Sequence, residues 1–477
     1  MNGAPEVDCQ APNTFCDPTK LPRAALTGID VLEATNFAAL KEAAARNGGH
    51  LRIGLLTNQT GLDAQGRRTI DVLRGAGGGI ELTTLFSPEH GLFGAKDSTN
   101  IGQEVDPASG LKVISLYGAK DEDRRPKPED LKNLDAVVID LQDAGVRFYT
   151  YETVVGYFLE AAACETARAH PLEVILLDRP DPINGDAVQG PVSNTAPSYL
   201  DYMPLPIRHG MTLGELARYM QGERAASCDA SAKKDELSEN AKDISQRLKP
   251  PCNCSADSTA EAVPLSKTET TRQGLTVVPM QNWRREEFFD ATGIPWVNPS
   301  PNLRSVTEAV LYPGLGMLDA TNVSVGRGTA TPFEVFGAGA TPATKDAPAQ
   351  AAWFDGKSVA DYLTTRKIPG VSFAATTFAV AEDANHYPYH GQTIEGVRLT
   401  ITDRAVLDSP ELGIEIFSAL HHLYPAQFKL DKAAPLVANS ETMTALARGD
   451  DPRAIAAGWA SALADFKAKR GKYLLYP

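Results

Sequence analysis

Two carboxylates and a set of loop arginines stand where a chain can carry out acid–base chemistry on a polar substrate. Glu89 lies in Ser87-Pro-Glu-His-Gly91, where proline and glycine turn the loop sharply after the apolar run Leu82–Phe86. A carboxyl partly shielded from water there is a candidate general acid, placed to donate a proton. The plainer reading is a solvated loop glutamate or one paired with an arginine, with His90 as a hydrogen-bonded spacer. Asp140, Asp143 and Arg147 surround the next strand end, in Asp140-Leu-Gln-Asp-Ala-Gly-Val-Arg-Phe-Tyr-Thr-Tyr151. Asp140 falls inside an apolar run, so it is expected to be buried and to need a cation or amides. Holding Arg147 or capping the next helix are its alternatives to chemistry. Asp143 reads as further out and more exposed, the better second working carboxylate. Tyr149 and Tyr151 either form a stacking floor for a sugar or are ordinary core aromatics.

More cations sit on loops: Arg179 in Asp178-Arg-Pro-Asp-Pro182, Arg208 and His209 in Arg208-His-Gly210, and Arg327 in Arg327-Gly-Thr329. An arginine fork suits a bidentate carboxylate ligand, and a structural salt bridge is the plainer role for any one of them. Other chemistries find no foothold. There is no HExxH, GxSxG or nucleophilic Cys–His arrangement, and His50, His170, His386, His390, His421 and His422 are scattered. Gly75–Gly79 precedes a strand instead of following one, Gly337-Ala-Gly339 does not fit the dinucleotide fingerprint either, and no GxxxxGK[ST] run exists. The reading therefore calls for no cofactor and no metal.

These residues must be positioned by a sheet. Four strand-like runs, Leu51–Thr57, Leu82–Phe86, Ala136–Leu141 and Val174–Leu177, each end in polar side chains, the first in Asn58-Gln-Thr60-Gly61. Ligands of an open parallel sheet bind just beyond the carboxyl ends of its strands, so four such ends point to one shared pocket. The pattern predicts an amphipathic helix over 28–46, strand 51–57, helix 66–75, strands 81–86, 112–116 and 136–141, helix 150–168 capped by Thr150, and strand 173–178. Thr212 and Glu215 have capping-box spacing for a helix over Leu213–Met220, and Leu275–Met280 is a further strand candidate. Past a Pro-rich connector at Pro295–Pro301, strands are expected near 371–380 and 395–403, with helices at 409–423 and 452–470. The fold class is α/β: a Rossmann-like parallel-sheet layout over 23–300, with a polar insertion at 222–265, and a second α+β region over 301–477. Residues 1–22 read as an extended leader.

A chain of 477 residues exceeds one typical core, and 43% apolar with 22% charged residues is ordinary globular composition. The sum of 46 basic and 60 acidic residues, −14, argues against a nucleic-acid partner. No run approaches the roughly 20 apolar residues needed to span a bilayer. The start lacks a secretory signal. Cys9 with Cys16, and Cys228 with Cys252 and Cys254, lie in polar loops and suit disulfides; Cys164 sits in an apolar helical stretch and reads as a buried thiol. That usage favours a periplasmic or secreted protein over a cytoplasmic one. Nothing in the residues speaks to oligomeric state.

The strings Gly54-Leu-Leu-Thr-Asn-Gln-Thr-Gly61, Phe86-Ser-Pro-Glu-His-Gly-Leu-Phe-Gly94, Asp140–Tyr151, Leu177-Asp-Arg-Pro180, Leu205-Pro-Ile-Arg-His-Gly-Met-Thr212 and Tyr473-Leu-Leu-Tyr476 resemble the family of exo-acting β-N-acetylmuramidases, long catalogued as a domain of unknown function. The resemblance runs from about residue 27 to the C-terminus. It implies a Rossmann-like N-terminal domain, a smaller α+β C-terminal domain completing a cleft, and release of terminal N-acetylmuramic acid from the non-reducing end of peptidoglycan fragments, with Glu89 at the position of the family's catalytic glutamate. Two departures stand out. Asp319-Ala-Thr-Asn322 replaces a Glu-Gly-Thr-Asn pattern, and Ser324-Val-Gly-Arg-Gly-Thr329 replaces Ser-Glu-Gly-Arg-Gly-Thr. The resulting expectation is a glycoside hydrolase with Glu89 as general acid and Asp143 as partner, Asp140 and Asp319 behind it. Expected substrate contacts are Asn58, Thr60, His90, Arg147, Tyr149, Tyr151, Arg179, Arg208, His209, Asn302, Asp319 and Arg327. The alternative is a non-catalytic protein that binds carbohydrate or cell-wall fragments. A cofactor-using oxidoreductase or transferase ranks third.

Overall fold

A computed structural model describes residues 25–94, 104–167, 172–235, 271–272, 274–343, 349–384 and 386–477. The expected leader, the loop cysteines other than Cys228 and most of the 222–265 segment lie outside these residues.

The chain forms strands β1 (Leu51–Thr57), β2 (Ile80–Ser87), β3 (Glu104–Val105), β4 (Lys112–Ser115), β5 (Ala136–Asp140), β6 (Glu173–Leu177), β7 (Gln189–Val192), β8 (Pro206–Arg208), β9 (Thr271–Arg272) and β10 (Leu275–Val278) in its first part. Eight of them make one sheet in the order β3-β4-β2-β1-β5-β6-β10-β9, while β7 and β8 pair separately. The six inner strands are parallel, and the two edges are antiparallel. Taken in chain order, the inner strands lie 3-2-1-4-5-6, the doubly wound arrangement. Its order reverses between β1 and β5, where the crevice for a ligand opens beyond Thr57 and Asp140. All five residues of β5 are buried, as two-sided cover demands.

Helices α1 (Gly28–Ala34), α2 (Ala38–Arg46), α3 (Thr69–Arg74), α4 (Pro128–Leu131), α5 (Tyr151–Ala167) and α6 (Leu213–Asp235) accompany the sheet. The single helix expected over 28–46 is thus two. Asn36 adopts φ 53° and Phe37 N–H donates to the Leu32 carbonyl at 2.7 Å, a left-handed stop that apolar periodicity does not register. The Thr212–Glu215 box forms as expected: Thr212 N–H donates to Glu215 and Glu215 N–H to Thr212 Oγ1, at 3.1 and 3.2 Å. From there α6 continues into the segment read as an insertion. Cys164 on α5 is disulfide-bonded, which corrects the expectation of a free buried thiol.

The second part carries α7 (Val306–Leu318), β11 (Val335–Ala338), α8 (Gly356–Arg366), β12 (Val371–Ala379), β13 (Thr393–Ile401) and α9 (Ser409–Leu423). Strands β11, β13 and β12 form an antiparallel sheet in that order. Helices α7 and α9 approach so closely that a Cβ on Gly314 would lie 2.1 Å from the Ser409 carbonyl oxygen. The closing helix expected over 452–470 is broken, into Pro452–Ala457 and Ala460–Arg470. One apolar cluster runs from Leu56 and Phe86 of the large sheet through Leu315 of α7 to Phe417 of α9, so both parts share a core and hold the cleft walls in register. Among the described residues no helix is long and apolar enough to cross a membrane.

Candidate active site

A cavity of about 380 Å3 opens beyond the carboxyl ends of β2 and β5. Its walls come from both parts of the chain: Glu89, His90 and Phe148–Tyr151 on one side, Tyr312, Asp319, Arg327 and Phe333 on the other, with Ser300, Asn302 and Leu436 between. Glu89 follows β2 directly. His90 and Gly91 both take left-handed backbone (φ 71° and 77°), and Gly91 N–H closes on the Pro88 carbonyl at 3.0 Å. A histidine held at positive φ is uncommon, and here the turn aims the preceding carboxyl inward. Thr150 Oγ1 donates to Glu89 Oε2 at 2.7 Å. Sequence reading assigned Thr150 only a capping role; its carbonyl does accept from Val154 N–H at 3.2 Å, while its hydroxyl serves the glutamate. Glu89 makes no ion pair among the described residues.

Aromatic rings build the floor. Tyr149 meets Tyr151 edge-on at 4.7 Å, Phe148 meets Tyr312 at 5.3 Å, and Tyr312 meets Phe333 at 4.8 Å. Asn58 and Thr60 stand behind this floor. Asn58 Nδ2 donates to the Tyr151 hydroxyl at 2.8 Å, and its Oδ1 accepts from Thr60 N–H and Oγ1. Tyr151 in turn donates to the Pro299 carbonyl at 2.9 Å, tying the Pro-rich connector to the sheet. Asn302 lines the cavity and donates to the Tyr387 hydroxyl at 2.7 Å. Tyr312, Phe148, Ser300 and Phe333 were not picked out from sequence. Only the neighbouring Tyr-Thr-Tyr and Pro-Ser-Pro-Asn strings hinted at their surroundings.

Several residues expected at the site are spent elsewhere. Asp140 receives Arg179 on both oxygens, at 2.5 and 2.9 Å, and also the Thr69 hydroxyl. It is fully buried and does not line the cavity. Arg147, also fully buried, donates to the carbonyls of Leu205, Leu436 and Val437 at 3.1, 2.5 and 2.9 Å. It holds the Pro435–Leu436 wall in place and does not reach the cavity itself. Arg208 donates to Gln189 at 3.0 Å and lies in the field of Asp181 and Asp408. These placements correct the catalytic role expected of Asp140 and the substrate contacts expected of Arg147, Arg179 and Arg208, since a buried charge is held by the partners it needs; Asn58, Thr60 and His209 do not line the cavity either. Val325, where the resemblance led to the expectation of a glutamate, is buried and does not line the cavity. Among the described residues no group of histidines, cysteines and carboxylates could hold a metal ion.

Asp143 was expected to be exposed and is instead 4% exposed, behind Tyr149 and Tyr151. It shares a polar chamber with Glu152 and His209, whose Nε2 lies 3.7 Å from Glu152 and 3.9 Å from Asp143. Burial pushes the Asp143 carboxyl up to about 7 and Glu152 well above its ordinary value, and pulls His209 down to about 3. His209 is therefore a neutral packing partner, and Asp143 holds a proton near neutrality. The stability consequence has a definite sign. The folded chain keeps the Asp143 proton up to about pH 7, while the unfolded chain loses it near pH 4. Across that window the unfolded state binds fewer protons, so this group's contribution to stability falls as pH rises and levels off above 7. Asp143→Asn removes the slope, and its melting temperature should gain on wild type from pH 4 to 7, by up to about 4 kcal/mol in free energy. Parallel melting curves for the two proteins over pH 4–8 would refute this.

Comparison with known proteins agrees with this architecture. Residues 53–307 match the N-terminal domain, and 310–476 the C-terminal domain, of the family described as exo-beta-N-acetylmuramidase NamZ. The peptidoglycan beta-N-acetylmuramidase NamZ of Bacillus subtilis (strain 168) is 31% identical over 457 residues, covering 94% of this chain and 91% of that protein. A crystal structure of a DUF1343 family protein from Bacteroides fragilis NCTC 9343 superposes with a TM-score of 0.73 at 28% identity, over 96% of this chain and all of the other. A second DUF1343 structure from the same organism, 24% identical with a TM-score of 0.63 over 95% and 99% of the two chains, shares the fold. With both domain matches lying in order along a doubly wound sheet and its α+β companion, the chain belongs to the exo-β-N-acetylmuramidase NamZ family.

Proposed function

We propose that this chain is a glycoside hydrolase that releases terminal N-acetylmuramic acid from the non-reducing end of peptidoglycan fragments. The observation that carries the reading is Glu89, presented on a cavity wall by a strained turn and gripped by Thr150, in a chain of this family. Glu89 protonates the glycosidic oxygen as the bond to the anomeric carbon breaks, and water adds to that carbon, its released proton restoring the Glu89 carboxyl. The aromatic floor takes the apolar face of the sugar. Asp143, protonated behind that floor, supports the tyrosines and does not activate water. A purely binding role is disfavoured by the curated enzyme relative.

Incubation of the purified protein with an aryl β-glycoside of N-acetylmuramic acid, and with a muramic-acid-terminated disaccharide, tests the activity. Free N-acetylmuramic acid is expected from both, and its absence from both would reject the reading. Thr150 gives a sharper check. As Glu89 gives up its proton it becomes a carboxylate, and the Thr150 hydroxyl's hydrogen bond to that developing charge contributes about 1.5–3 kcal/mol. Thr150→Val should therefore lower kcat roughly 10- to 100-fold with little change in KM, while Thr150→Ser keeps most of the rate. Equal losses in both variants would remove the hydroxyl from the argument.

An extracytoplasmic site of action fits this substrate, and the disulfide at Cys164 suits an oxidising compartment.

A further inference from the structure

Muramic acid differs from glucosamine by a lactyl ether on C3, which ends in a carboxylate. An enzyme specific for it needs a cation on the wall facing C3, away from the acid that serves C1. Sequence offered four arginines for this task, and the fold removes three. Arg147 is spent on three backbone carbonyls, Arg179 on Asp140, and Arg208 on Gln189, and none of these lines the cavity. Arg327 does line it, from the loop between α7 and β11, on the part of the chain that does not carry Glu89.

We propose, resting on the glycosidase reading above, that Arg327, braced by Asp319, is the subsite that receives the lactyl carboxylate and so selects muramic acid over glucosamine. The guanidinium is held in place before any ligand arrives. Its Nη2 lies 2.6 Å from Asp319 Oδ2, and its central carbon lies 5.5 Å from the Phe333 ring and 5.8 Å from the Tyr387 ring. The loop around it is equally constrained. Gly326 and Gly328 flank it at φ 78° and 76°, a backbone that other residues rarely adopt, and the Gly328 carbonyl accepts from Ala381 N–H at 2.9 Å. Asp319 fixes the plane of the guanidinium, and because its five donors lie in that plane an arriving carboxylate meets a preset fork whose donors it can share or take over. Both members of the pair are partly exposed, at 22% and 30% of their side chains, so a ligand has access. Arg327 and Glu89 line the same cavity of about 380 Å3, so one bound sugar can meet both. Asp319 has a second effect. Its charge tempers the arginine, so it weakens the attraction for a carboxylate while fixing the geometry.

The test compares two ligands that differ in a single charge: N-acetylmuramic acid and its lactyl carboxamide. Calorimetric titration of the full chain should show the acid bound roughly 10- to 100-fold tighter than the amide. Arg327→Met should bind both at the amide's affinity, and Arg327→Lys should keep a reduced preference. Asp319→Asn should widen the preference for the acid. Thermal melts confirm that each variant is folded; if Arg327→Met is not, the lysine variant and Asp319→Asn decide alone. If wild type does not discriminate acid from amide, or the Arg327 variants keep the full preference, the proposal is overturned. Release of N-acetylmuramic acid by wild type, measured alongside, separates the two failures. With release intact and the preference untouched by Arg327, only the subsite assignment falls; with neither release nor binding, the glycosidase reading falls and takes the subsite with it.

Discussion

Glu89→Gln leaves the protein folded and lowers turnover roughly 100- to 10,000-fold, the range a positioned general acid contributes. The amide is nearly isosteric and can still meet the Thr150 hydroxyl that holds Oε2, so the melting temperature should hardly move. What is lost is the proton. That loss has a signature which separates an acid from a nucleophile. A nitrophenolate leaves without much help, whereas a sugar hydroxylate does not, so the variant should be far more impaired on a disaccharide than on the aryl glycoside. Removal of a nucleophile would slow both alike. Rates of wild type and variant on the two substrates measure the difference, and equal impairment would move Glu89 out of the acid's role.

Asp140→Asn has the opposite character, with a large cost in stability and no specific loss of chemistry. Asp140 is buried in the sheet and takes a two-point ion pair from Arg179, itself only 5% exposed. Removing one member of a buried pair strands the other charge in a medium that solvates it poorly, typically at about 3–5 kcal/mol. Urea unfolding of wild type and variant gives the figure directly. The informative comparison is the rate per folded molecule at low temperature, which should stay near wild type because Asp140 does not line the cavity. A stable variant with no turnover would return Asp140 to the catalytic group.

Parts of this protein are legible in one dimension because their signals are local. The parallel strands show as apolar runs, since strands covered on both faces have no polar side. Glu89 is legible because a strand end, a proline and a glycine lie within five residues of one another. The Thr212–Glu215 cap is legible for the same reason. Strands β3, β7, β8, β9 and β11 were not read; each has four residues or fewer, too short a stretch for an apolar pattern to stand out on its own. The arginines misled for a further reason. The fate of Arg147 depends on carbonyls 58, 289 and 290 residues away, and no spacing rule reaches that far.

From residue order alone came a parallel sheet with its helices, a second region of helices and strands, and a crevice at the strand ends with Glu89 at its edge. Those follow from periodicity and turn chemistry, which act over a few residues. Which polar groups face the crevice was decided only when the chain closed on itself. Packing sent Asp140, Asp143, Arg147, Arg179 and Arg208 inward to partners and left Glu89 and Arg327 on the cavity. A charge is costly to bury unpaired, so the partner that folding supplies, often from a distant segment, determines whether a side chain supports the fold or remains available to a substrate.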